Sequence, residues 1–406
     1  MTTLFPPISF LKSQWRFLLF GFLLAFFSSP GQTFFISLFS ADIRAELDLS
    51  HGDFGTVYAM ATLASAVTLI PLGRLVDTVR LRVIALCIIC GLGLAAIFFS
   101  MIVSVTMLVI GIYFMRLSGQ GMMTHLYATA MARRYVAERG RALAVAALGH
   151  PVSEWLMPLF VLVMGSMLLF DWHDIWRITG IMALVVMVPA ALLLTGRHEG
   201  QDGGGVDALA AGKDGQHWTR RDMLLHWRFW MLSGLIIAPS FSTTGLLFHQ
   251  VYFAESKMIP FAMWISGYGI YAAFNIAGSF LGGGLTDRYT ACRVAPIVVA
   301  NMALSPLLLN FAAPGMMVFV FFAGFGVVQG MVYTSATPIW AEIYGTRHLG
   351  GIKAIAQALM VFASAVSPVL LGMMIDAGAS IESLLLVLGI MPIICGMMGY
   401  IAANTR

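Results

Sequence analysis

Two charges stand in this chain where an apolar environment has no ordinary use for them. Arg116 lies inside a hydrophobic run, about 17 residues or roughly 25 Å of helix before Arg133. Glu154 lies inside the next run, roughly 20 Å of helix beyond Arg141. A charge at the centre of a bilayer costs about 2.5 to 3.5 kcal/mol on insertion scales, so such residues mark a functional site by default. His150 precedes Glu154 by one helical turn and shares its face. A carboxylate and an imidazole can bind and release a proton, and a guanidinium can hold an anion. Proton coupling is therefore assigned to Glu154, His150 and Arg116, and Arg116 is also the candidate anchor for an anionic substrate. A buried ion pair joining two neighbouring helices would use the same residues, and both readings stay open.

Neutral hydrogen-bonding groups complete the candidate set. Gln120 and Tyr127 share the Arg116 face of their helix, whereas His125 points to the opposite side. Gln32 belongs to Ser28-Ser29-Pro30-Gly31-Gln32-Thr33, an interruption halfway along the first apolar run. A matching interruption is expected at Ala238-Pro239-Ser240, because broken helices free backbone groups to face a cavity. Asn275, Gln329 and Tyr333 supply the second half of the chain with polar groups but no central charge. Substrate contact is accordingly assigned to Arg116, Gln32, Gln120, Tyr127, Asn275, Gln329 and Tyr333. Glu342 and Lys353 lie near run ends and are expected to serve gating.

The elements that must hold these residues follow from composition. Of 406 residues, 59% are hydrophobic and 10% charged, where soluble domains carry about 25% charge. Lipid is the solvent such a chain expects. Apolar runs near the ~20 residues needed to cross a bilayer fall at roughly 17–39, 54–73, 82–103, 106–131, 142–169 and 175–195. Six more fall at roughly 229–250, 262–284, 293–312, 315–340, 351–376 and 382–402. The fold class is therefore all-α, with twelve transmembrane helices in two six-helix bundles.

Of the 23 Lys and Arg residues, Arg44, Arg177 and Lys257 lie in odd-numbered loops and Arg116 lies inside a crossing. The others lie at the termini or in even-numbered loops, which puts both termini in the cytoplasm. The first run is too long for a signal peptide and is expected to stay as a helix. Cys87, Cys90, Cys292 and Cys395 sit in apolar segments and read as small hydrophobes rather than a disulfide framework. Residues 1–195 and 227–406 form two domains, joined by a cytoplasmic linker at 196–226 whose Gly-rich, mixed-charge sequence cannot bury an apolar face.

The halves repeat. Gly73-Arg74-Leu75-Val76-Asp77 recurs as Gly283-Gly284-Leu285-Thr286-Asp287, and the same offset maps Gly140 onto Gly350 and Pro158 onto Pro368. Two parallel six-helix repeats are a design of secondary transporters, with the substrate held near mid-depth. The Gly73-x-Leu75-x-Asp77 run with Arg82, its weaker copy ending Asp287-Arg288, Arg116 and the central linker together resemble the major facilitator superfamily over essentially the whole chain. Gly31-Gln32-Thr33, Arg116 to Gly121 and Trp227-Arg228-Phe229 resemble its branch of monocarboxylate transporters and oxalate:formate antiporters. That branch commonly has an Arg in the eighth helix, where this chain offers Tyr268, Tyr271 and Asn275.

The resemblance implies a secondary active transporter working by alternating access, with crossings 1, 4, 7 and 10 lining its cavity. It also implies a cytoplasmic gating latch at Gly73, Asp77, Arg82, Asp287 and Arg288. Joined to the titratable pair, it predicts proton-coupled uptake of a small organic anion or polar metabolite. A proton-driven exporter of amphipathic compounds and a non-transporting receptor or scaffold are the alternatives. The expected partners are a small-molecule substrate, protons and the lipid bilayer, in a monomer of the bacterial inner membrane. Nucleic acid is not expected, since the basic residues are topology signals. No zinc, nucleophile or cofactor motif is present, so neither an enzyme nor a bound cofactor or metal is expected.

Overall fold

The computed structural model describes residues 8–135, 138–195, 218–345 and 347–405. They are helical almost throughout, and the helices follow the twelve apolar runs. In the first half these are Ile8–Phe27, continued by short turns into Ser40–Leu47; His51–Gly73; Leu81–Phe99; Val105–Met115 running on through Arg116–Met123 into Thr124–Arg134; Arg139–Ala147 with Gly149–Leu162; and Trp172–Leu194. In the second half they are Trp227–Phe248; Phe261–Tyr289; Ala291–Ala300 with Leu304–Phe311; Met316–Ser335; Leu349–Asp376; and Ile381–Asn404.

Among the described residues, ten helices are long and apolar enough to cross a membrane. The fourth crossing, 105–134, and the eighth, Phe261–Tyr289, fall short of that measure. Those two carry Arg116, Gln120 and Asn275, so the polar residues that make them interesting also lower their hydropathy. The chain is a multi-pass membrane protein.

Helix starts are written locally. Asp171 accepts from the Asp174 amide at 2.8 Å, and Ser104 and Ser380 cap the fourth and twelfth crossings. Most of the expected linker, 196–217, lies outside the described residues. Its end differs from the expectation of a flexible connection. Arg220–Leu225 is a short helix, started by a reciprocal capping box between Thr219 and Asp222. The seventh crossing also differs, because Trp227–Phe248 is one continuous helix with Pro239 inside it. Neighbouring helices steady it there: the Ser367 hydroxyl donates to the Phe241 carbonyl at 2.7 Å, and the Ser240 hydroxyl donates to Met360 O at 2.7 Å. Both bonds fasten the helix around Pro239 to the eleventh crossing.

The chain divides into two compact units, Met1–Leu47 with Met60–Gly205, and Asp48–Ala59 with Val206–Arg406. In the first, Trp176 is fully buried against Phe99 and Phe35, with ring centroids 4.4 and 5.0 Å away. In the second, Trp264 and Tyr268 pack on Phe322 at 5.1 and 5.3 Å. The start of the second crossing belongs to the second unit. There Asp376 accepts from the amides of His51 and Gly52 at 3.0 and 2.7 Å, and Phe54 stacks on Phe248.

Candidate functional site

The first crossing opens where Ser28-Ser29-Pro30-Gly31-Gln32 predicts a break. Pro30 has no amide to give, the chain tightens into a 3-10 turn at Ser29–Gly31, and Gln32 is extended at φ −89° and ψ 151°. The helix resumes at Thr33. The break leaves the Gly31 carbonyl outside the helical ladder, and the Arg116 guanidinium donates to it at 3.1 Å. Arg116 also reaches the Thr33 hydroxyl at 3.5 Å. It is 1% exposed, among the largest fully buried side chains of the described residues.

The fourth crossing is itself irregular at that point. Arg116–Met123 is a π-helix set between two α-helices, a wide turn that occurs frequently at functional sites. Its backbone comes against the broken first crossing so closely that a Cβ on Gly31 would lie 2.8 Å from Gln120 N and 2.8 Å from Gly119 Cα. Only glycine permits that approach. Gly149, at the start of the second helical segment of the fifth crossing, likewise has Phe22 and Ala25 of the first crossing where its Cβ would stand.

On the fifth crossing His150 and Glu154 are half-buried. The His150 ring meets the Tyr127 ring edge-on, with centroids 5.6 Å apart, so the structure brings together one member of each proposed group. Gln32 is half-buried and its amide nitrogen donates to Ser28 Oγ at 3.4 Å. Gln120 is half-buried within the π segment. His125 is exposed and lies 3.3 Å from the Gly73 carbonyl, away from the Arg116 side.

The second unit has its own polar groups. Asn275 donates to the Tyr271 hydroxyl at 3.1 Å, and Gln329 accepts from the Thr243 hydroxyl at 2.9 Å. Asn275 and Gln329 are buried, whereas Tyr333 is 60% exposed. Glycines bring the eighth and tenth crossings together: a Cβ on Gly326 would stand 3.1 Å from Asn275 N, and one on Gly330 2.6 Å from Ser279 N. A further buried cluster was not anticipated. Gln250 Oε1 accepts from the Tyr268 hydroxyl at 2.6 Å and from Trp264 Nε1 at 3.1 Å.

The loop residues fall into separate arrangements. Gly73 ends the second crossing. The side chain of Asp77 lies outside the described residues. Arg82 ties its helix to the sixth crossing, donating to Thr195 Oγ1 at 3.3 Å and to the Leu192 carbonyl. Arg133 donates to the Val76 carbonyl at 3.1 Å. In the second unit Asp287 is exposed, and the Arg288 guanidinium lies 5.1 Å from the centre of the adjacent Tyr289 ring. Glu342 holds a helix end there, accepting from the amides of Ala291 and Cys292 at 2.8 and 3.0 Å. Thr33, Thr243 and Gln250 were missed in the sequence. For Thr33 a signal existed, since a hydroxyl one residue past a helix break is well placed to meet whatever the break captures.

The sequence profile of the Major Facilitator Superfamily matches residues 21–288. No curated protein matches the chain in sequence. Among solved structures, a bacterial homologue of the human lysosomal transporter Spinster is similar in two forms. Its inward-facing, occupied form matches with a TM-score of 0.71 at 16% identity, covering 97% of each chain. Its inward-facing, unoccupied form matches with a TM-score of 0.76 at 16% identity, over 96% of this chain and 97% of that one. At that identity the likeness is one of fold.

Proposed function

Because this chain belongs to the major facilitator superfamily, a family of secondary transporters that work by alternating access, we propose that it carries a small organic anion into the cell together with protons. The observation that supports this most is the buried Arg116 guanidinium, held at the opened first crossing by the Gly31 carbonyl and the Thr33 hydroxyl. A guanidinium stays charged at any working pH and presents several donors in a fixed plane, which suits a carboxylate or phosphate group. Glu154 and His150 are the titratable groups of the neighbouring fifth crossing, with His150 against Tyr127. Protonating Glu154 would remove a competing anion from Arg116, so substrate and proton would load together. Gln32, Gln120, Tyr127, Asn275, Gln329 and Tyr333 are the neutral substrate contacts of this reading.

Gly73, Asp77, Arg82, Asp287 and Arg288 are assigned to a cytoplasmic gate, in a cell membrane with both termini on the cytoplasmic face. The distribution of Lys and Arg among the loops supports that orientation.

The test uses the purified full chain in proteoliposomes, with uptake of a panel of small radiolabelled mono- and dicarboxylates measured under an imposed pH gradient. Wild type should take up its substrate against a concentration gradient, driven by the pH gradient. Glu154→Gln should retain exchange of substrate across the membrane but lose its dependence on the pH gradient, and Arg116→Lys should lose both. Unchanged proton coupling in Glu154→Gln would refute the coupling role. Undiminished uptake by Arg116→Lys would refute the anion site.

A further inference from the structure

The ninth crossing carries a stripe of exposed residues, Arg293, Ile297, Asn301 and Leu304, at the spacing that places them on one helix face. They border a groove of about 530 Å³ between the eighth, ninth and tenth crossings, within the second unit. Ile297, Leu304, Val328 and Met331 give it an apolar wall, and Tyr289 and Arg293 stand at its loop end. The helix is interrupted at Asn301–Ala303. There Asn301 donates to its own helix, to the Ile297 carbonyl at 2.8 Å, so little polar demand is presented to the groove.

Length and charge identify the occupant. Arg293 to Leu304 spans roughly 16 Å at 1.5 Å per residue, about half of a hydrocarbon core of ~30 Å. The groove therefore runs one leaflet deep, from headgroup level to the middle of the bilayer. Its polar end is basic: Arg293, near the start of the ninth crossing, is exposed, and Arg288, also exposed, lies in the last turn of the eighth beside Tyr289. Basic pockets between transmembrane helices on the cytoplasmic side bind anionic headgroups. A groove that is apolar along one leaflet and cationic at the headgroup fits one molecule with both features. We propose that it is a binding site for an anionic glycerophospholipid, with the phosphate at Arg293 and an acyl chain along Ile297 to Leu304. The tenth crossing, which also carries Gln329, forms the opposite wall through Val328 and Met331. Lipid in the groove would brace that helix.

The test is lipid re-addition to the delipidated, detergent-purified protein, read by melting temperature and by native mass spectrometry. Dioleoylphosphatidylglycerol, dioleoylphosphatidylcholine and inorganic phosphate are compared on wild type, Arg293→Gln and Ile297→Trp. Both substituted positions are exposed to the membrane, so the fold should survive, and monodispersity checks it. Wild type should retain phosphatidylglycerol in preference to phosphatidylcholine and melt higher with it, and phosphate alone should have no effect. Arg293→Gln should weaken phosphatidylglycerol binding about five-fold, the effect of one cation at a membrane surface. Ile297→Trp, which fills the groove, should reduce retention of both lipids. Equal retention of the two lipids by wild type would overturn the proposal. So would an unchanged lipid preference in both variants, or stabilisation by phosphate equal to that by the lipid.

Discussion

Removing the carboxylate of Glu342 should open the start of the ninth crossing, and a buried thiol stands where that opening can be measured. Glu342 accepts from the first two amides of Ala291–Ala300 at 2.8 and 3.0 Å, amides that have no partner within the helix itself. Loss of a helix cap costs about 0.5–2 kcal/mol, and the attraction of a partly buried carboxylate to the helix dipole adds up to about 2 kcal/mol. Glu342 is half-buried, so water replaces part of what Glu342→Ala removes, and a net loss of ~2 kcal/mol is the expectation. At about 1.4 kcal/mol per factor of ten, the open fraction rises roughly 30-fold.

Cys292 is one of the two residues capped and is 5% exposed. With Cys87, Cys90 and Cys395 replaced by Ala, maleimide labelling reports opening of that site alone. Where closing is fast relative to labelling, the rate follows the open fraction. Glu342→Ala should label roughly 30-fold faster than its parent. Glu342→Gln keeps one amide oxygen as acceptor and should lose ~1 kcal/mol, for about a five-fold increase. A Glu342→Ala rate within about two-fold of the parent, in folded protein, would mean that the carboxylate contributes nothing to this helix and that the capping argument is wrong.

Three further outcomes follow from the contacts described. Gly31→Ala places a Cβ 2.8 Å from Gln120 N and Gly119 Cα, an overpacking that costs about 1–3 kcal/mol or more; its melting temperature should fall clearly, while Pro30→Ala should leave it within a degree or two. Asp376→Ala deprives the amides of His51 and Gly52 of their acceptor and should cost about 1–2 kcal/mol of local stability, read as faster hydrogen exchange over 51–56. Hydrogen bonds from the Thr219 hydroxyl and amide hold Asp222 below its ordinary pKa of 3.8. A depressed folded value stabilises above the unfolded pKa and is lost as pH falls through the folded one. Exchange protection of Arg220–Leu225 should therefore hold at neutral pH and decline below about pH 4, whereas Asp222→Asn should show no such decline.

Several levels of this protein are legible along the chain. Apolar run length sets the number of crossings, because the bilayer demands ~20 residues whatever lies beside them. The duplicated loop and proline positions mark two halves, and the charges at Arg116 and Glu154 stand out because hydrocarbon makes each one costly. The break at Pro30 is local too, since proline has no amide to continue the helical ladder and its ring crowds the preceding turn. Yet Pro239 shows the limit of that rule. The same residue type stays within a continuous helix that is fastened to the eleventh crossing on either side, by Ser240 donating to Met360 O and by Ser367 donating to the Phe241 carbonyl.

Tertiary structure decided which freed groups found each other. Nothing near Arg116 in sequence says that its partners include the Gly31 carbonyl and the Thr33 hydroxyl, or that the turn beginning at Arg116 is π rather than α. Nothing near Ala291 says that its cap comes from Glu342. A membrane-spanning chain must satisfy every backbone polar group within protein. The sequence reveals where such a group is released, and only the packing of distant helices reveals what receives it.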